Sequence, residues 1–328
     1  PTAGMGGVGR GAQLGVLVKN AEALGRMEKV DEVVVDKTGT LTVGKPKVVA
    51  VDALGTLDDV ELLRLAASLE RASEHPLAAA MVQEANAHKL QLSEPSGVES
   101  PAGKGITGTV DGRSVVVGHA AFMNEKGIAT DKHTAAAETY RREGAPAVFV
   151  AVDGKAAGLI AIADPVKDST EAALKSLTRD GVRVVMLTGD NRTTALAVAK
   201  RLGITEVEAE VLPGHKAEVV QRLRAEGHVV AMAGDGVNDA PALAVADVGI
   251  AMGTGTDIAM ESAGIPLLKG ALSGIPHARG LSRATMANIR RNLLFAFLYN
   301  AAGVPIAAGV LYPSLGLLLS PMVAAAAM

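Results

Sequence analysis

Between residues 32 and 251, short Val-rich apolar runs alternate with longer runs of helical period, and this alternation constrains the fold more than any other feature. Strand-like runs are Glu32–Val35, Ala147–Val152, Leu159–Ile162, Val182–Leu187, Val229–Ala233 and Val248–Ala251. Helix-like runs are Asp59–Ser68, Pro76–Ala87, Ser169–Arg179, Arg192–Leu202 and His215–Glu226. Strands separated by helices build a parallel sheet, so the spacing predicts an α/β fold. Asp153-Gly154 predicts a hairpin turn. From Val48 to Val150 the elements shorten and turns multiply, which predicts a unit inserted after the first strand. The expected division is 30–47 with 151–275 as one split domain and 48–150 as the insertion; 328 residues suit two or three domains of roughly 100–200 each.

The flanks differ from this body. Residues 1–29 are expected to be a Gly-rich lead and an amphipathic helix over Leu17–Val30, as at the exit of a membrane helix. Residues 276–291 read as a basic stalk carrying Arg279, Arg283, Arg290 and Arg291. From 292 to 328 there is no charged residue in 37 positions. About 20 apolar residues suffice for a membrane helix. Asn292–Tyr312 therefore reads as one span, Tyr312-Pro313-Ser314 as a turn, and Leu315–Met328 as the start of a second. A buried Ala/Gly-rich hairpin is the alternative. The arginines put their side of such a span in the cytoplasm. With no Cys, disulfide frameworks and cysteine chemistry are excluded within these residues. Aromatics at 2% and a net charge of −3 supply neither stacking platforms nor a polycationic face, so nucleic acid is not an expected partner.

The chemistry-bearing residues follow strands. Asp36-Lys37-Thr38-Gly39-Thr40-Leu41-Thr42 comes directly after the first strand, and ligands of open α/β sheets gather at the carboxyl ends of strands. A carboxylate there can attack phosphorus and form an aspartyl phosphate. Thr188-Gly189-Asp190-Asn191 follows another strand; Thr188 suits a phosphate oxygen, although this tetrapeptide alone also fits an ordinary strand-to-helix turn capped by Asp190. Gly234-Asp235-Gly236-Val237-Asn238-Asp239 follows a third, and its two carboxylates on a Gly-rich turn suit Mg²⁺. Lys216 could add positive charge beside a phosphoryl group.

Together these motifs resemble the haloacid dehalogenase superfamily, and Asp36–Thr42 resembles the P-type ATPases, ion pumps that pass through an aspartyl phosphate. The resemblance implies a haloacid-dehalogenase-like Rossmannoid phosphorylation domain, an inserted α+β nucleotide-binding domain and C-terminal transmembrane helices. It implies phosphorylation of Asp36 by ATP, phosphate or nucleotide contacts from Lys37, Thr188, Asp190 and Lys216, and a Mg²⁺ site from Asp36, the main chain of Thr38, Asp235 and Asp239. Asp164-Pro165 resembles the hinge between the two domains. Ser73-Glu74-His75-Pro76-Leu77 resembles the His-Pro signature of heavy-metal pumps, which assigns nucleotide contacts to Glu70, His75, Gly103, Gly105, Ile106 and Gly118. His119 stands where the family usually has Asn.

Tyr299-Asn300 with Gly303-Val304-Pro305 looks like the copper(I)/silver-exporting subclass, and Met328 falls where the Met of its Met-x-x-Ser-Ser stands. A thioether suits soft Cu(I). Tyr299, Asn300 and Met328 are thus the implied contacts for a transported Cu(I) or Ag(I). The zinc/cadmium subclass usually carries a membrane Lys and Asp that are not seen here. The resemblance further implies a multi-pass membrane location (the cell membrane in a bacterium), cytoplasmic catalytic domains, and partners in the lipid bilayer, ATP and a metallochaperone. No Thr-Gly-Glu occurs, so the actuator domain is expected outside these residues: a catalytic fragment that binds ATP and Mg²⁺ without transporting metal. Two other readings are a soluble phosphatase, disfavoured by the uncharged tail and by Lys37-Thr38 preceding Gly39, and a non-catalytic regulatory module, disfavoured by an intact Asp36.

Overall fold

The computed structural model describes residues 15–19, 21–101, 103–253, 256–307 and 313. In chain order its regular elements are α1 (Ala21–Met27), β1 (Glu32–Asp36), β2 (Lys47–Ala53), α2 (Asp59–Glu70), α3 (Pro76–Ala87), β3 (Ser96–Glu99), β4 (Gly105–Val110), β5 (Arg113–Gly118), α4 (Ala120–Glu125), α5 (Asp131–Arg142), β6 (Ala147–Val152) and β7 (Lys155–Ala163). There follow α6 (Thr170–Arg179), β8 (Arg183–Leu187), α7 (Arg192–Leu202), β9 (Glu206–Glu208), α8 (Lys216–Ala225), β10 (Val230–Gly234), α9 (Ala240–Val245), β11 (Val248–Met252), α10 (Asp257–Ser262), β12 (Ile265–Leu267) and α11 (Gly274–Ala307).

β1 lies inside a six-stranded sheet of order β12-β11-β10-β1-β8-β9, parallel throughout. Its strands are apolar on both faces because helices cover both. Val33, Val35, Met186 and Ile250 pack toward α1, α6, α7 and α11, whereas Val34, Val185, Leu187 and Met232 pack toward α8, α9 and α10. Register sets the site: Asp36 lies opposite Leu187 of β8, and Val35 opposite Ala233 of β10. Thr188 and Asp235 therefore leave the sheet on the same edge as Asp36.

The second sheet is antiparallel, β2-β7-β6-β5-β4-β3. Alternation splits β6 between two cores. Val148, Val150 and Val152 face α2 and α3, while Ala147, Phe149 and Ala151 face α4 and α5. The Asp153-Gly154 hairpin is present, with φ +52 and +77 as a two-residue loop of this class requires.

Two expectations need correction. The chain does not return to the first sheet at 151, because β7 pairs with β2 and β6 as far as Ala163. The expected helix over Leu17–Val30 shortens to α1; ahead of it Val16 bridges to Leu267 and Leu17 N donates to Pro266 O, so this segment runs along β12. At the other end α11 continues without interruption from the basic stalk into the uncharged segment, where Leu293, Leu294, Phe295, Phe297, Leu298 and Val304 are exposed. Among the described residues no helix is long and apolar enough to cross a membrane. Residues 308–312 and 314–328, with Met328 and the whole of the expected second span, lie outside the described residues.

Phe149 is 1% exposed at the centre of the α4/α5 core. Phe149→Ala should cost about 3–5 kcal/mol in unfolding free energy, read from the shift of the urea midpoint at constant slope.

Candidate active site

Asp36 ends β1 and is buried. Lys216, the first residue of α8, reaches it: Lys216 Nζ donates to Asp36 Oδ1 at 2.6 Å and to Asp239 Oδ1 at 2.7 Å. The other oxygen of Asp239 accepts from the backbone N–H groups of Asp235 (3.2 Å) and Gly236 (3.1 Å). Oxygens of Asp36, Asp235 and Asp239 all lie within 4.8 Å of one another. Burial and then the Asp239 charge lift the Asp36 carboxyl to about 7, with Lys216 pulling the other way. Burial and Asp239 likewise raise Asp235. Burial works against the Lys216 ammonium, but the charges of Asp36 and Asp239 leave its pKa above the ordinary value.

This cluster fits Mg²⁺: three crowded carboxylates with a single ammonium among them hold excess negative charge, and a hard divalent cation takes oxygen ligands. Gly39 makes room for it. Its φ is +72, and a Cβ there would stand 1.7 Å from Asp235 Oδ2.

Lys37 turns from Asp36 to pair with Asp190 Oδ2 at 2.7 Å. Thr188 is buried, and its hydroxyl accepts from Asp190 N at 3.1 Å. Thr38 is exposed. It lines a cavity of about 720 Å³ together with Lys37, Gly189 and Asp190.

Glu70, His75, Gly103, Gly105, Ile106 and Gly118 come together around a second cavity of about 450 Å³. The two glycines of the loop serve different ends. Gly103 has φ +73, whereas a side chain on Gly105 would meet Val117 O at 2.4 Å and the Phe122 ring at 2.6 Å. His75 caps α3, its Nδ1 accepting from Leu77 N at 3.2 Å. Burial lifts the Glu70 carboxyl to about 7 against a Ser73 hydrogen bond. His75, Pro76, Leu77 and His119 line both cavities, so the two adjoin.

Three residues escaped the sequence reading or were only half read. Lys167 Nζ donates to Gly39 O and to Gly270 O, the latter at 2.9 Å. Asp164 accepts from the Thr42 hydroxyl and from Gly44 N and Lys45 N, both at 3.1 Å. Arg141 lines the larger cavity. The acceptors of Lys167 are backbone carbonyls, which leave no trace in residue identity. Asp164 was read only as a hinge residue, and Arg141, in the last turn of a helix, lacked the strand-end placement that exposed Asp36. Tyr299 and Asn300 lie on α11, far along the chain from both cavities and lining neither.

The family model for haloacid dehalogenase-like hydrolases matches residues 30–247. The chain belongs to that family. Similarity to P-type ATPases runs over its whole length. It is 58% identical over 328 residues to the silver exporting P-type ATPase of Salmonella typhimurium, covering 100% of this chain and 40% of that one. It is 56% identical to the copper-exporting P-type ATPase of Legionella pneumophila, covering 100% and 44%. The chain thus spans about two fifths of the length of these curated relatives. Among solved structures, a zinc-transporting PIB-type ATPase in the E2.Pi state superposes with TM-score 0.80 at 35% identity, covering 100% of this chain and 52% of that one. The catalytic domain of the CPx-ATPase CopB-B gives TM-score 0.68 at 27% identity, covering 84% and 98%.

Two predictions follow from this geometry. Gly39→Ala should fold, yet lose the rise in unfolding temperature that excess Mg²⁺ gives the unmodified chain by binding the folded state. Glu70 carries a folded-state pKa raised from its ordinary value to about 7, so its contribution to stability is present at low pH and is lost as pH rises through 7. Glu70→Gln should therefore raise the unfolding midpoint at pH about 8.5, with the gain shrinking toward pH 5 in a pH series of thermal melts.

Proposed function

We propose that this chain is the catalytic part of an ATP-driven heavy-metal exporter whose cargo is Cu(I) or Ag(I). ATP binds with its base in the cavity of Glu70 and His75 and its triphosphate directed past His119 into the adjoining cavity, toward the turn of Lys37 and Thr38 that follows Asp36. The observation that carries this reading is the buried Asp36 held by Lys216 beside two further carboxylates, next in the chain to Lys37 and Thr38, which line the cavity adjoining that of Glu70.

Asp36 Oδ attacks the γ-phosphorus of ATP; the P–O bond to ADP breaks, and ADP leaves with that electron pair. Attack needs the carboxylate form, and the Lys216 ammonium favours it against burial and Asp239. Lys216 also offsets charge on the transferring group, and Thr188 and the backbone of Thr38 and Gly39 supply donors to its oxygens. Mg²⁺ held by Asp36, Asp235, Asp239 and the Thr38 carbonyl would neutralise phosphoryl charge. Hydrolysis of the acyl phosphate by water returns Asp36.

Copper or silver is favoured as cargo because the relatives bearing those names are 58% and 56% identical, against 35% for the zinc-transporting structure. Tyr299-Asn300 agrees with that choice. Zinc-type transport is the second reading, supported by the TM-score of 0.80 to that structure. The exposed apolar end of α11 supports a bilayer partner and a membrane location with the two sheets on the cytoplasmic side.

With γ-labelled ATP and Mg²⁺ the chain should take up acid-stable, hydroxylamine-labile label, and Asp36→Asn should take up none. In a longer parent carrying the rest of the pump, Cu(I) or Ag(I) should stimulate labelling; stimulation by Zn(II) alone would move the cargo to the second reading.

A further inference from the structure

We propose that Arg141 is a polyphosphate-contacting residue of this chain, gripping the nucleotide between its base cavity and Asp36. The inference rests on the nucleotide reading above and adds a residue that the motifs do not contain.

Arg141 sits in the last turn of α5, on the second sheet's side of the larger cavity. The opposite wall carries Lys37, Thr38, Gly189 and Asp190. The charged groups of the first wall are already engaged. Lys37 is paired with Asp190 at 2.7 Å, and Asp164 holds three donors of the 42–45 segment. Arg141 is held only loosely, by Glu138 of its own helix at 3.5 Å, and its side chain is 23% exposed. Among the described lining residues it is the one arginine, and a guanidinium offers the planar fork of donors that phosphate oxygens accept.

His119 lies beside it. Partial desolvation, then the Arg141 charge and His75, hold the His119 imidazole below its ordinary pKa. At neutral pH this ring offers an N–H without adding repulsion to Arg141. His119 lines both cavities, so Arg141 stands next to the point where a nucleotide passes from one to the other. A triphosphate crossing there needs cationic donors on both walls. On one wall stands Lys37, already paired with Asp190, and Arg141 supplies the cation of the other.

The test is isothermal titration of this chain with AMP, ADP and ATP, comparing wild type, Arg141→Ala and Arg141→Lys. Arg141→Ala should weaken ATP about tenfold and leave AMP within about twofold, because the base cavity is untouched; Arg141→Lys should fall between. A wild-type melting temperature in the Lys variant keeps the comparison on folded protein. An unchanged ATP affinity in Arg141→Ala, or equal losses for AMP and ATP in both variants, would overturn the assignment while the nucleotide reading stands. A wild-type chain that binds none of the three nucleotides would overturn that reading and Arg141 with it.

Discussion

A single ammonium holds the site together. Lys216 Nζ bridges Asp36 and Asp239 from the start of α8, so one buried charge ties the ends of β1 and β10 to a third element. Without it, two carboxylates would be left facing each other away from water, and buried charge without a partner is strongly destabilising. Its two bonds also leave Asp239 one oxygen for the N–H groups of Asp235 and Gly236, which fixes the loop after β10. Such convergence depends on a parallel sheet. Only when neighbouring strands run the same way do their carboxyl ends, and the loops that follow, meet on one edge.

The second constraint is the pair of chain crossings between the sheets. The chain leaves β1 through residues 37–45 and comes back through 164–167. Asp164 gathers three donors from the outgoing segment, Thr42 forms an isolated bridge with Val166, and Val43 N donates to Pro165 O at 2.8 Å. Lys167 then fastens Gly39 to Gly270, just ahead of α11. The loop that follows Asp36 is therefore braced by the same few residues that join the two sheets and root the long helix. Gly39 is closed in as well, because the space its side chain would take is filled by Asp235.

Much of this was legible in the residues. The central strands announce themselves because helices on both faces demand unbroken apolar runs, and the acids at their ends stand out against them. The membership of β7 was less legible. Residues 155–163 are nearly all buried, like a strand of the parallel sheet, yet they pair antiparallel with β2 and β6. Burial reads in side chains, but the choice of backbone partner does not. The segment before α1 misled for a related reason: Val16 and Val18 are buried, and an apolar spacing that suits a helix also suits an extended stretch laid along β12. Lys167 and Arg141 were invisible because their partners are carbonyls and a cavity, neither of which has a sequence spacing.

The division of labour between the two sheets follows from solvation. A base is best held in a cavity with apolar walls, and the antiparallel sheet supplies Ile106, Val117 and Val148 for that purpose. Inside such walls a carboxyl group resists ionisation, which is why the Glu70 carboxyl is lifted to about 7. Phosphoryl transfer requires the reverse, a site dense in charge with an ionised nucleophile. Asp36 feels a comparable burial penalty, but Lys216 opposes it and a divalent cation would oppose it further. Both carboxyl groups are lifted to about 7, but among the described residues it is Asp36 that stands in a cluster of carboxylates suited to a cation. Keeping them on separate sheets leaves one acid among apolar walls and the other among charges, as the proposed base and phosphoryl sites would require.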